Sequence, residues 1–145
     1  MDKKYQIDMV GFYQRSAIES MTTSPGVYFV FAGRDMGETC EIRKLLYIGK
    51  AEDQGVSHRL QNHEKMPLFE SEVKSPEELF FAYATVELND VAEVENALIK
   101  HFDPVLNKQS TESFTSKYDV IEIQIMGSTP AIFSDDSSFS VEPSK

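Results

Sequence analysis

The sequence predicts an α+β fold: a small, mainly antiparallel sheet of three core strands, to which a C-terminal strand could be added, flanked by helices. The main observation is a pair of apolar runs, residues 26–32 and 45–49, that are rich in β-branched and aromatic residues. A polar connector with two glycines joins them, which is the pattern of an antiparallel hairpin. After this hairpin, segments with helix and strand periodicity alternate, as is typical of α+β domains.

Hydrophobic periodicity predicts the remaining elements. The N-terminal residues 5–21 place apolar side chains at roughly helical spacing, so we expect a helix that ends before Ser24 and Pro25. The other predicted elements are a helix over residues 56–64 with Ser57 as its cap, a connector over 68–76, a buried strand over 79–86, a helix over 91–102 capped by Asn89 or Asp90, and an alternating strand over 117–125.

We expect one main domain over residues 25–126, preceded by a helical extension over 1–24 and followed by a flexible tail over 127–145. The tail is rich in Ser, Asp and Pro, and Ile132, Phe133 and Phe139 are its expected docking points. The N-terminal sequence lacks the apolar core of a signal peptide and no run of apolar residues is long enough to span a bilayer, so we expect a cytoplasmic protein without a membrane contact.

The charge balance is acidic. The chain of 145 residues has a formal net charge of −10. Proteins that hold nucleic acid by counterion release usually carry a basic face, so this balance counts against tight non-specific binding to a polyanion. It is compatible with a local basic patch, or with a site where a divalent metal offsets the negative charge. The single cysteine, Cys40, excludes an internal disulfide and is interpreted as incidental.

Several residues could combine in one reaction. A tyrosine lies beside a glycine in each hairpin strand, Tyr28 and Tyr47, while Arg59 and His63 are four apart and share a helix face. Glu95 follows on a later helix. A carboxylate for a divalent cation, an arginine for a phosphate, and a phenol or imidazole that moves a proton are what metal-assisted phosphodiester cleavage needs.

Each of these residues also has an ordinary structural interpretation. A strand tyrosine usually packs on the sheet, and Arg59 or His63 alone would be a surface or polar helix residue. Glu95 shares its helix with Glu93 and could be a solvated charge. We interpret His58 and His101 as structural or surface residues, and Asn107 alone would be a turn residue.

Four separated motifs resemble the GIY-YIG endonuclease superfamily. They are Gly-Val-Tyr at 26–28, with valine replacing the usual isoleucine, Tyr-Ile-Gly-Lys at 47–50, the Arg59-x-x-x-His63 pair, and the helix from Glu95 that leads to Pro-Val-Leu-Asn at 104–107. The last is similar to the nuclease domain of the bacterial excision-repair incision subunit. The resemblance covers about residues 25–107 and would make 25–126 a GIY-YIG-like nuclease domain.

The resemblance implies a role for each matching residue. The Glu95 carboxylate would hold a single Mg²⁺ or Mn²⁺ ion, and Tyr28 would assist the attacking water as a base. The other implied site residues are Tyr47 and His63, which position groups or relay protons, Arg59, which neutralises charge on the phosphorane, Lys50, which assists Tyr28, and Asn107, which braces the site.

The expected function is therefore metal-dependent endonuclease cleavage of DNA. The residues do not separate DNA from RNA. The acidity leaves open a non-catalytic nuclease-like module that binds a protein partner, and a homo-oligomer is a further option. The connector within residues 29–46 is longer than usual in the family, and we expect it beside the site, where Arg34, Arg43 and Lys44 could form a basic patch.

Overall fold

The computed structural model describes residues 1–107 and 115–143. A six-stranded sheet forms its centre. The strands are β1 (Asp2–Gln14), β2 (Gly26–Asp35), β3 (Cys40–Ala51), β4 (Glu77–Thr85), β5 (Val120–Gly127) and β6 (Ser138–Val141). The helices are α1 (Gly55–Gln61), α2 (Met66–Ser71) and α3 (Val91–Phe102), with 3-10 turns at Arg15–Ser20, Leu88–Asp90 and Ala131–Phe133. Within the described ranges, no helix has the length and apolar character needed to cross a membrane.

The strands follow the spatial order β3-β2-β4-β1-β5-β6. Every neighbouring pair is antiparallel except β1 and β5, which run parallel from Asp2 opposite Val120 to Met9 opposite Gly127. The three predicted core strands are the adjacent β3, β2 and β4. The α+β class and the mainly antiparallel sheet agree with the sequence, but the sheet has twice the expected number of core strands.

The predicted N-terminal helix is wrong. Residues 2–14 form β1, in which Tyr5, Ile7 and Met9 are buried and the residues between them are exposed. That alternation has the period of two that places side chains on opposite faces of a strand. Because β1 pairs with β4 on one side and β5 on the other, backbone pairing with distant residues decides its conformation. Only the 3-10 turn at Arg15–Ser20 is helical in the expected extension over 1–24.

The connector between the tyrosine strands is an extended hairpin, and it does not flank the site. Strand β2 continues to Asp35 and β3 starts at Cys40, so only residues 36–39 form the turn. Arg34 lies six residues along β2 from Tyr28, which is about 20 Å of strand. On β3, Arg43 forms ion pairs with Glu41 and Glu77. The expected basic patch beside the site is therefore absent from the described hairpin.

The expected flexible tail is ordered over the described residues. β6 pairs with β5, and Phe133 is only 2% exposed and packs against Phe29 and Phe31. Phe139 stacks on His101 with ring centroids 3.8 Å apart. The docking predictions for Phe133 and Phe139 are thus confirmed, and that for Ile132 is wrong because its side chain is 40% exposed.

The helices after the hairpin lie close to where they were predicted, with three corrections. Asp90 is the N-cap residue of α3, as expected, but its side chain makes no capping hydrogen bond. Ser57 is not a cap: it lies within α1, where its hydroxyl donates to the carbonyl of Ile18. The expected connector contains α2, whose second residue is Pro67; proline is well tolerated in the first turn of a helix, where its missing N–H costs nothing.

Two hydrophobic clusters lie on the two faces of the sheet. Apolar residues of α3 and Phe133 pack on one face, and those of α1, α2 and the 3-10 turn at Arg15–Ser20 pack on the other. Tyr28 belongs to the second cluster, while Glu95 is carried by the helix that covers the first. The site is therefore built at the end of the hairpin, where the two layers meet.

Candidate active site

One pocket gathers most of the residues that the sequence singles out. It lies where the open end of the β2–β3 hairpin meets α1 and α3, and its volume is about 390 Å³. The lining residues are Tyr28, Tyr47, Lys50, Ala51, Glu52, Asp53, Gln54, Arg59 and Glu95. The two tyrosines, the arginine and the glutamate thus converge as expected. His63, which was expected with them, contacts Tyr28 but does not line the pocket, and neither does Asn107.

Tyr28 forms the floor of the pocket. Its register on β2 places it opposite Gly49 of β3. A Cβ at Gly49 would come within 2.3 Å of the Tyr28 hydroxyl oxygen, so the glycine makes room for the phenol itself. Tyr28 is 1% exposed, and this burial raises the pKa of its hydroxyl, while nearby Arg59 lowers it.

His63 holds the Tyr28 hydroxyl from behind. Its Nε2 lies 2.6 Å from the Tyr28 oxygen, and its Nδ1 accepts a hydrogen bond of 3.0 Å from the backbone N–H of Lys65. Burial, together with Arg59, lowers the pKa of His63 to about 4, so the imidazole is neutral at pH 7. With Nδ1 accepting, the single ring proton sits on Nε2, and His63 donates to Tyr28.

Tyr47 packs beside this pair. Its ring centroid lies 6.3 Å from that of Tyr28 and 5.7 Å from that of His63. The Lys65 ammonium lies 5.0 Å from the centre of the Tyr47 ring, within cation–π range. Burial raises the pKa of the Tyr47 hydroxyl; Glu95 raises it further and Arg59 lowers it. The phenol therefore stays protonated at neutral pH in the free protein.

Arg59 has a partner that sequence reasoning did not identify. Its two terminal nitrogens donate to the two carboxylate oxygens of Glu64, at 2.9 and 3.0 Å. This fork-to-fork pairing lowers the pKa of the Glu64 carboxyl to about 2. Glu64 lies five residues after Arg59 and beyond the end of α1. The spacing of three or four residues that predicts an ion pair along a helix therefore does not apply to this pair.

Glu95 is the buried carboxylate among the three acidic residues that line the pocket. Burial is the main reason that its pKa rises to about 7; Lys50 opposes this rise and Glu52 adds to it. The Lys50 ammonium lies 3.4 Å from a carboxylate oxygen of Glu52. Lys50 thus offsets the charge of the two carboxylates. It was expected to assist Tyr28, but the cation that lowers the pKa of Tyr28 is Arg59.

The two glutamates of α3 point to different parts of the molecule, a choice that the sequence left open. Glu93 accepts hydrogen bonds from the hydroxyls of Tyr5, at 2.6 Å, and Ser116. It therefore faces β1, while Glu95 faces the pocket. In the parts of the chain that the structure describes, no group of three or more His, Cys, Asp or Glu residues is arranged to hold a metal ion.

Asn107 fixes the chain that follows α3 to the site strand. Its side-chain oxygen accepts from the backbone N–H of Ile48 at 2.9 Å, and its amide nitrogen donates to the Ile48 carbonyl at 2.8 Å. The side chain thereby occupies the edge of β3 as a neighbouring strand would. Ile48 lies between Tyr47 and Gly49, so this contact holds the strand segment that frames the tyrosines.

Comparisons with known proteins give two related matches. No protein-family model and no curated protein matches the chain. Two solved structures are similar to it, both of the GIY-YIG N-terminal endonuclease domain of UvrC from Thermotoga maritima, described as point mutants bound to the catalytic divalent cation. Their sequence identities are 26% and 27%, and each comparison covers 66% of this chain and 94% of the solved chain with a TM-score of 0.45.

The motif residues are the basis for relating the chain to other proteins. The two tyrosine–glycine motifs meet across one strand pair, with the phenol of the first filling the space left by the glycine of the second. The arginine of the third motif and the glutamate of the fourth reach the same pocket. In these residues the chain resembles the GIY-YIG endonuclease superfamily.

Proposed function

We propose that the protein is a divalent-metal-dependent endonuclease that hydrolyses phosphodiester bonds in DNA. The observation that carries the proposal is the single pocket in which two tyrosines, an arginine and a buried carboxylate come together. Hydrolysis of a phosphodiester needs stabilisation of negative charge on the phosphate and a group that takes a proton from water. The pocket offers both within one small volume.

Glu95 is the residue that would hold the metal. Carboxylate oxygens suit Mg²⁺ and Mn²⁺, and Mg²⁺ is commonly bound by one or two carboxylates while it keeps several waters. A pocket of about 390 Å³ has space for a hydrated ion and a phosphate group. A divalent cation bound there would act as a Lewis acid toward the phosphodiester.

Arg59 is the group that would bind the phosphate. A guanidinium presents two parallel N–H donors that match two phosphate oxygens, as it already does with the two oxygens of Glu64. Its charge remains fixed throughout the pH range of the protein. In this role Arg59 would stabilise the charge that develops on the phosphate in the transition state.

Tyr28 is the group that would take the proton from water, once its own hydroxyl has released its proton to solvent, and His63 is a positioning residue. His63 cannot accept the phenolic proton, because its Nε2 carries a proton and its Nδ1 is occupied by the Lys65 amide. Its donation to the Tyr28 oxygen instead stabilises negative charge on that oxygen. Arg59 acts in the same direction. We therefore assign His63 to holding Tyr28 and not to a proton relay.

A plasmid-nicking assay with Mg²⁺ or Mn²⁺ tests the proposal. We expect cutting by the wild type and loss of cutting in Glu95→Gln. The matched control is Glu93→Gln, the same substitution two residues away on the same helix, whose side chain faces Tyr5 and Ser116. Cutting that persists in Glu95→Gln, or that disappears equally in both variants while they remain folded, would contradict the assignment.

The net charge of −10 favours a second candidate, a nuclease-like module that binds a basic protein partner without cutting nucleic acid. The same assay with single-stranded and double-stranded RNA separates an RNA-directed enzyme from a DNA-directed one. No cleavage of any substrate with either metal would favour the binding module. The cytoplasmic location and a homo-oligomeric state stay predictions.

A further inference from the structure

We propose that Glu64 is a built-in competitor for Arg59: its carboxylate occupies the guanidinium in the free protein and must be displaced by the phosphate that Arg59 binds. The proposal rests on the proposed function for the identity of the phosphate, a phosphodiester. It adds a residue outside all the family motifs, and it makes that residue a determinant of affinity.

The geometry of the contact supports this role. A carboxylate that accepts from both terminal nitrogens of an arginine presents two oxygens in one plane, and two oxygens of a phosphate can replace them in the same arrangement. The Arg59 donors used by Glu64 are thus the donors that a bidentate phosphate would need. Both anions cannot occupy them together.

The difference in burial indicates which partner moves. The side chain of Arg59 is 30% exposed and lines the pocket, while that of Glu64 is 67% exposed and follows the end of α1. An exposed carboxylate on a segment past the end of a helix can rotate into solvent at little cost. Arg59 can therefore exchange partners without leaving the pocket.

Glu64 also acts on the tyrosines in the direction opposite to Arg59. Its charge raises the pKa of both Tyr28 and Tyr47, whereas Arg59 lowers both. The phosphate that takes the place of the carboxylate is also an anion, so the exchange keeps a negative charge beside the guanidinium. The competition therefore acts on the affinity of Arg59 for phosphate and not on the protonation of the phenols.

The test measures the binding of inorganic phosphate to the metal-free protein at fixed ionic strength, followed by the shifts of the α1 backbone amides in NMR spectra. We expect Glu64→Gln to bind phosphate at least about threefold more tightly than the wild type, because the phosphate no longer has to break the ion pair between Arg59 and Glu64. The gain should vanish in an Arg59→Gln background. The control Glu72→Gln removes the same charge from another exposed position and should change the affinity less.

Unchanged or weaker phosphate binding by Glu64→Gln would overturn the proposal and would make Glu64 a residue that holds Arg59 in place. An equal gain in the Arg59→Gln background would also overturn it, because the effect would then be general electrostatic attraction. The nicking assay reports separately on the endonuclease: phosphate binding can confirm the competition even if no nucleic acid is cut, and cutting can occur without it.

Discussion

At the scale of single residues, the site depends on the space that Gly49 leaves for the Tyr28 phenol. A methyl group at Gly49 would overlap the phenol ring and hydroxyl, which are enclosed on the other side by His63. We expect Gly49→Ala to destabilise the protein by about 1–3 kcal/mol and to abolish nicking, because the phenol must leave its position. Urea unfolding measures the first effect.

A double-mutant cycle gives the control for this prediction. In a Tyr28→Ala background the new methyl group no longer meets a ring, so Gly49→Ala should cost much less stability there. Equal costs in the two backgrounds would show that the methyl group clashes with something other than the phenol.

The carboxyl of Glu95 links stability to pH. Its pKa is about 7 in the folded protein against 4.5 for an ordinary glutamate, so the folded state binds more protons and the free energy of unfolding falls as the pH rises through this window. We expect metal-free Glu95→Gln to be more stable than the wild type by about 1–3 kcal/mol at pH 8 and equally stable near pH 4. Urea unfolding with a chelator at several pH values measures the difference.

The control for this experiment is Glu72→Gln, the same substitution at an exposed side chain. A stability difference between Glu95→Gln and the wild type that is the same at every pH would contradict the burial of an ionisable carboxyl at this position.

The sequence predicts the motif residues of the site well and their partners poorly. Tyr28, Tyr47, Arg59 and Glu95 reach one pocket as expected, since short motifs fix residue types at fixed places on local elements. Glu64 was missed, as was the contact of the Lys65 amide with His63, which decides the direction of the hydrogen bond to Tyr28. Such contacts depend on how the chain turns after α1, which periodicity does not describe.

At the scale of elements, locally periodic segments were predicted well and segments that depend on distant pairing were not. Helix α3 was predicted with its observed bounds, because its apolar stripe repeats at three and four residues and packs on one face of the sheet. β1 was mistaken for a helix because its apolar residues also fit helical spacing over a short window. β6 was missed because it is only four residues long and its strand conformation depends on pairing with β5.

The order of the C-terminal segment can be tested at Phe133. This side chain packs between sheet and helix against rings that include Phe29, Phe31 and Phe102, and its removal leaves a cavity. We expect Phe133→Ala to lower the free energy of unfolding by about 3–5 kcal/mol. The neighbouring Ile132→Ala, at a side chain that is 40% exposed, should cost far less. Similar small effects from both would indicate that the segment does not contribute to the core.

The contact between the segment after α3 and β3 can be tested at Asn107. Replacement by Ala removes two buried hydrogen bonds and leaves the Ile48 backbone groups without these partners. We expect Asn107→Ala to cost about 2–4 kcal/mol and to speed hydrogen exchange at the Ile48 amide. Asn62→Ala, where one exposed bond of 3.4 Å is lost, is the control and should change little.

At the scale of the whole molecule, the acidity limits how nucleic acid can be held. The formal net charge is −10, and the cations that line the pocket are Lys50 and Arg59. We expect the logarithm of the DNA-binding constant to fall with the logarithm of salt concentration with a slope of about −1 to −2, as for one or two neutralised phosphates. Arg59→Gln should reduce the magnitude by about one. Anisotropy titrations of DNA binding in the presence of Ca²⁺ measure the slope. A slope near −6 would reveal a basic surface elsewhere on the protein.

The parallel pairing of β1 with β5 has a consequence for synthesis of the chain on the ribosome. Partners in this ladder, such as Gln6 and Gln124, are 118 residues apart, so β1 leaves the exit tunnel long before its neighbour has been translated. Until then one side of β1 offers unpaired amides and carbonyls that another nascent chain could capture. Ribosome-bound truncations that stop before β5 should therefore recruit chaperones, and completion of that strand should release them.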